Sequence, residues 1–204
     1  PDRVAIVAMM RAAKYVIAHQ IPGDMVECGV FRGGSAAVVG RAAETLKRRL
    51  WLYDTFDGIP APGPVEVDGQ DAQRLTGSMR AGWSEAQTLD RQHNPKVYIR
   101  VIQGDVRQTM RSRGHAPDTV SFLHIDTDWY DCVLQPLLFF HDRLSPGAVV
   151  VIDDFGYWEG ARRAFYDYCA QTGAQPLLER FGRTQAAFIV GREHNRAGSP
   201  LLTL

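Results

Sequence analysis

Residues Met25-Val26-Glu27-Cys28-Gly29-Val30-Phe31-Arg32-Gly33-Gly34-Ser35 read as a short apolar strand, a glycine-rich turn and a helix N-terminus. Backbone can approach a ligand closely at such a turn. The G-x-G-x-x-G spacing of a dinucleotide site is absent. Gly29 and Gly34-Ser35 fit the G-x-x-x-x-G-[ST] spacing of a phosphate-binding loop, but the Lys that would contact the phosphates is missing. A tight turn that needs glycine only for its conformation is the alternative. Glu27 favours a ligand bearing ammonium or hydroxyl groups over a polyphosphate.

Outward from this stretch, helical periodicity alternates with short runs of Val, Ile, Leu, Tyr and Phe, which predicts an α/β fold. A first helix is expected over roughly Asp2 to Gln20, closed by Ile21-Pro22-Gly23. Ser35 is placed to cap a second helix reaching about Arg49, with Lys47-Arg48-Arg49 as a basic last turn. Further strands are expected at Trp51 to Tyr53, Val97 to Ile102, Val120 to Ile125 and Ala148 to Ile152, each ending in a polar or acidic residue. In an open parallel sheet those ends converge on one crevice. After a helix near Glu159 to Thr172, Leu177 to Phe181 and Gln185 to Val190 are joined only by Gly182-Arg183-Thr184. That connection predicts an antiparallel hairpin at the end of a mostly parallel sheet.

The 204 residues suit a single domain, 1–204, and Lys plus Arg balance Asp plus Glu at 23 each. Zero net charge argues against a nucleic-acid partner. No apolar run is long enough to span a membrane and no signal-like segment opens the chain, so a cytoplasmic protein with no membrane partner is expected. The start at Pro1 rather than Met implies processing or an incomplete beginning. Cys28, Cys132 and Cys169 are odd in number and lack C-x-x-C spacing, which predicts free thiols. Residues 56–93 carry Pro60, Pro62, Gly63, Pro64, Gly69, Gly77 and Gly82 with patchy apolar spacing, and read as a lid or acceptor-binding insertion.

Two adjacent strand ends hold the strongest cluster: His124-Ile125-Asp126-Thr127-Asp128-Trp129-Tyr130, and Ile152-Asp153-Asp154. Four carboxylates on neighbouring strands, about 5 Å apart, repel one another unless a cation sits among them. An all-oxygen set selects Mg²⁺ over zinc. Alternatively, Asp128 and Asp154 cap the helices that follow them. His124, inside an apolar strand, reads as a partnered core histidine rather than a second base. Tyr53-Asp54-Thr55 is placed to hold a ribose, and Gln103-Gly104-Asp105 reads equally well as a turn with a helix cap.

Val26 to Ser35, Tyr53 to Pro60, His124 to Tyr130 and Ser145-Pro146-Gly147 through Phe155 together resemble the class I S-adenosylmethionine-dependent methyltransferases, specifically the macrocin O-methyltransferase type. That resemblance implies a doubly wound, seven-stranded sheet with its last strand antiparallel, and a homo-oligomer. It implies S-adenosylmethionine as cofactor, with Glu27 and Gly29 flanking its methionine part, Asp54 on its ribose and Asp105 near its adenine. Phe31, Ser35 and Thr55 would complete the cofactor site. Asp126, Asp153 and Asp154 would bind Mg²⁺, and Asp128 would be the general base, taking the proton of a sugar hydroxyl on a natural product or its activated precursor. Related catechol methyltransferases place a lysine base after the first metal aspartate. Trp129 and Tyr130 stand there instead. Asp126-Thr127-Asp128 also fits the D-x-D of a metal-dependent glycosyltransferase, though that reading explains neither Glu27 nor Asp153-Asp154. A catalytically silent binding domain is the remaining alternative.

Overall fold

The computed structural model describes residues 3–82, 98–111, 113–180, 182–194, 198 and 200–201. In chain order the elements are α1 (Arg3–Ala18), β1 (Asp24–Cys28), α2 (Gly34–Leu46), β2 (Arg49–Asp54), α3 (Gly69–Leu75), β3 (Tyr98–Gln103) and α4 (Val106–Thr109). They continue with β4 (Val120–Ile125), α5 (Tyr130–Phe140), β5 (Leu144–Ile152), α6 (Glu159–Thr172), β6 (Glu179–Arg180) and β7 (Ala186–Ile189).

The strands form one seven-stranded sheet in the order β3-β2-β1-β4-β5-β7-β6. β1 to β5 run parallel, and β7 runs against both β5 and β6. The expected mostly parallel sheet with a terminal hairpin is therefore present. Because β1 lies between β2 and β4, the direction of winding reverses there, and this switch point opens a crevice beyond the carboxyl ends of β1 and β4.

Side chains alternate across each strand and feed two apolar layers. Val26, Cys28, Tyr53, Ile125 and Ile152 pack with α5 and α6. Met25, Leu50, Leu52, Phe122 and Val151 pack with α1 and α2. Cys28, Cys132 and Cys169 are all free thiols, as expected, and burial pushes the first two well up from the ordinary thiol range. Among the described residues no helix is long and apolar enough to cross a membrane.

Two local expectations need correction. Ser35 is not the cap of α2, because Gly33 holds that position in a left-handed conformation and Ser35 lies in the first turn. Nor does α2 end in a basic turn. The helix stops at Leu46, Lys47 turns left-handed at φ 55°, and Arg49 already belongs to β2. Of the segment expected to form a lid, residues 83–93 lie outside the described residues.

Candidate active site

At the switch point lies a cleft whose empty space, open mouth included, is about 690 Å³. Gly29, Phe31, Asp54, Thr55, Asp105, Asp126 and Asp128 all line it. Glu27 and Ser35 do not; they are buried behind the turn. Gly29 is required sterically. Its φ is +86°, and a Cβ there would meet the carbonyl oxygen of Asp126 at 1.8 Å, so β1 and β4 can touch at their ends only through glycine.

Asp54 organises the turn. Its Oδ2 accepts the N–H groups of Val30 at 2.6 Å and Phe31 at 2.9 Å, and its Oδ1 accepts that of Phe56 at 2.6 Å. Thr55 donates to the Gly58 carbonyl at 2.7 Å. Asp105 caps α4 through the Arg107 N–H and is gripped by the Arg107 guanidinium. Burial alone would raise its pKa, but Arg107 outweighs burial and holds the carboxyl below its usual range. The cap reading of Asp105 is therefore met while its residue still forms cleft wall.

The acids of β4 and β5 converge. Register pairs Glu27 with His124 and His124 with Val151, and side-chain parity then puts Glu27, His124, Asp126 and Asp153 on one face. Ligand atoms of His124, Asp126 and Asp153 lie within 4.8 Å of one another. Asp154 falls outside that set, yet it feels the charges of Asp126, Asp128 and Asp153. Burial first, and then mutual repulsion, push Asp126 and Asp154 well above the carboxylate range. Asp153 goes the other way, because His124 and the Gln185 amide outweigh its burial.

His124 is buried, with Nδ1 3.3 Å from Glu27 Oε1 and Nε2 3.5 Å from Asp153 Oδ1. Burial disfavours its charge, but the neighbouring Asp153 and Glu27 carboxylates prevail and raise its pKa to about 10. A doubly protonated imidazole has no lone pair for a metal. The donors that fit a cation are accordingly the carboxylates, and the raised pKa values of Asp126 and Asp154 register crowding that a divalent ion relieves.

Neither Asp128 nor Asp154 caps a helix. The cap positions of α5 and α6 are Trp129 and Trp158, without side-chain caps. Acceptors for these helix N-termini arrive from far away in sequence. Glu66 Oε2 accepts the Tyr130 N–H at 2.7 Å, and Asp68 accepts those of Glu159 at 3.2 Å and Gly160 at 2.7 Å. The strap that carries both acids, residues 60–68, is pinned by Trp129 Nε1 on the Pro60 carbonyl at 2.8 Å and by Arg107 on the Ala61 carbonyl at 3.1 Å. Glu66, Asp68 and Gln185 carry no local motif. Only Gln185 has a signal, its position one step beyond the Ile152–Ala186 pair and hence opposite Asp153.

Comparison with known proteins identifies the family and the fold. The family model for macrocin O-methyltransferase (TylF) matches residues 3–188. The chain is 31% identical over 178 residues to 8-demethyl-8-(2,3-dimethoxy-alpha-L-rhamnosyl)-tetracenomycin-C 4'-O-methyltransferase of Streptomyces olivaceus, covering 80% of this chain and 65% of that protein. It is 28% identical over 179 residues to mycinamicin III 3''-O-methyltransferase of Micromonospora griseorubida, covering 80% and 66%. The chain thus spans just under two thirds of the length of these relatives. Among solved structures, the O-methyltransferase NovP shares the fold with a TM-score of 0.79 at 23% identity, covering 92% of this chain and 80% of that one. An O-methyltransferase from Bacillus cereus, solved with SAH, superposes with a TM-score of 0.62 at 11% identity, covering 93% and 82%. A family match running through nearly every element of the sheet, joined to this switch-point cleft, makes the chain a member of the macrocin O-methyltransferase (TylF) family.

Proposed function

We propose that the chain transfers the methyl group of S-adenosylmethionine to a hydroxyl on a sugar of a glycosylated natural product or its activated precursor, assisted by Mg²⁺. The observation that carries this reading is the approach of Asp153 to within 4.8 Å of Asp126, which itself lines the cleft with Gly29, Asp54 and Asp105. The rhamnosyl group and 4'-O position in the tetracenomycin relative's name support a sugar acceptor. Family membership leaves the glycosyltransferase reading of Asp126-Thr127-Asp128 without support.

In this reading Gly29, Phe31, Asp54, Thr55 and Asp105 form the donor wall, with Glu27 and Ser35 behind it. Asp126, Asp153 and Asp154 hold the cation. When bound, S-adenosylmethionine supplies an electrophilic methyl group, and Mg²⁺ lowers the pKa of a hydroxyl it contacts. Asp128 is the general base. Burial raises its pKa to about 6, against the opposing hydrogen bond from Trp158, so it is ionised at neutral pH and able to accept the acceptor's proton. The rigid turn and the strap hold donor and acceptor side by side, which supplies much of the acceleration.

Calorimetry with S-adenosylmethionine and with a nucleotide-diphosphate sugar, each with and without Mg²⁺, tests the proposal. Binding of S-adenosylmethionine is expected, together with methyl transfer to a rhamnosylated acceptor that stops in EDTA. Binding of the nucleotide sugar alone overturns the reading, and transfer that persists in EDTA removes the cation from it.

A further inference from the structure

The proposed reaction leaves buried polar side chains without a role. They form one continuous chain. The Ser35 hydroxyl donates to Glu27 Oε1. His124 Nδ1 lies 3.3 Å from that oxygen and its Nε2 lies 3.5 Å from Asp153 Oδ1. The Gln185 amide donates to the same Asp153 oxygen. The network runs from α2 through β1, β4 and β5 to the start of β7, and Glu27, His124 and Gln185 are at most 1% exposed. Apolar side chains would fill the same space without desolvating a charge. None of Ser35, Glu27, His124 and Gln185 lines the cleft, so their work is on other side chains.

We propose that this chain is a positioning network, with His124 as the joint that makes the donor site and the cation site sense each other. The proposal rests on the donor and cation reading above. The Gln185 amide donates to Asp153 Oδ1 and the His124 imidazole stands 3.5 Å from the same oxygen, which leaves Oδ2 for the cation and fixes the carboxylate's orientation, as outer partners of metal ligands do. Ser35 and His124 likewise fill Glu27 Oε1, while Oε2 has no hydrogen-bond partner among the described residues. Ordering Asp153 orders the imidazole, and the imidazole orders Glu27 beneath the Gly29 turn. Whichever ligand binds second meets a site already fixed, and the gain is reciprocal.

The test is titration of S-adenosylhomocysteine in EDTA and in saturating Mg²⁺, using wild type, His124→Gln and Gln185→Met. Wild type is expected to bind it roughly fivefold or more tightly with Mg²⁺. His124→Gln brings that ratio to about one, whereas loss of a merely structural side chain weakens both affinities and keeps the ratio. Gln185→Met retains its affinity for S-adenosylhomocysteine in EDTA but binds Mn²⁺, followed by electron paramagnetic resonance, roughly 10- to 100-fold more weakly. A wild-type ratio near unity, or an unchanged ratio in His124→Gln, overturns the coupling. If His124→Gln does not fold, Gln185→Met decides: undiminished Mn²⁺ affinity overturns the network. Wild type that binds no S-adenosylhomocysteine overturns the donor assignment instead.

Discussion

The indole N–H of Trp158 donates to Oδ1 of Asp128 across 3.2 Å. Trp158 is itself held edge-on against Trp129, with ring centroids 5.2 Å apart, and Asp128 sits in a left-handed conformation at φ 63°. The indole therefore fixes the carboxylate and steadies its ionised form. Trp158→Phe removes a hydrogen bond that lowers the Asp128 pKa, so the acidic limb of the kcat profile moves to higher pH. A limb that stays in place argues against Asp128 as the base. Asp128→Asn loses roughly 10²- to 10⁴-fold in kcat, the usual worth of a general base.

Crowding of the acids makes a prediction of opposite kind for Asp154. Its folded-state pKa is raised by burial and then by Asp126, Asp128 and Asp153. A raised acid favours folding below its unfolded pKa, and that favour is lost as pH rises through the folded value. Without metal at pH 7–8, Asp154→Asn thus melts at higher temperature than wild type. Added Mg²⁺ raises the wild-type Tm and leaves the variant's nearly unmoved. Equal Mg²⁺ responses in thermal melts would remove Asp154 from the cation site.

Asp105 carries the reverse sign. Arg107 holds its carboxyl below the ordinary range, so its contribution is present above the unfolded pKa of about 3.9 and is lost as pH falls through the folded value. Asp105→Asn flattens the dependence of Tm on pH below about 4. Above about pH 5 the variant's curve runs parallel to that of wild type. Divergence confined to neutral pH contradicts this pairing.

Loss of the strap's remote caps is measurable as stability. Asp68→Ala strips the acceptor from the first N–H groups of α6 and costs about 1–2 kcal/mol, which lowers Tm by roughly 2–8 °C in a chain of this size. Asp68→Asn keeps an acceptor oxygen and retains most of that stability. Equal melting of both variants would mean that the caps contribute little.

Much of this was legible from residue order because strands write their faces with a period of two. β4 occupies Val120–Ile125 and α6 occupies Glu159–Thr172, as their spacing predicts. The acids after Ile125 and Ile152 could then be assigned to one edge by the rule for parallel sheets. α5 gave no clean signal, because Pro136 lies inside it and apolar residues surround its axis. β5 starts at Leu144, earlier than Ala148, since its pairing with β4 begins at Val120–Leu144 before a register shift. β6 starts at Glu179 rather than Leu177 and pairs on one side only, while Phe181 lies outside the described residues. The partners of Tyr130, Gly160 and Asp153 lie 64, 92 and 32 positions away, and no local pattern encodes a hydrogen bond across such distances.

The anchoring of residues 60–68 bears on how new members of such a family could be made. Exchanging that strap between relatives looks like the natural way to alter which acceptor is taken. It is not a modular graft, however, since the incoming loop must also bring carboxylates equivalent to Glu66 and Asp68 at matching positions. A chimera without them inherits two frayed helices directly beside the reacting groups, and random recombination will favour breakpoints outside this stretch.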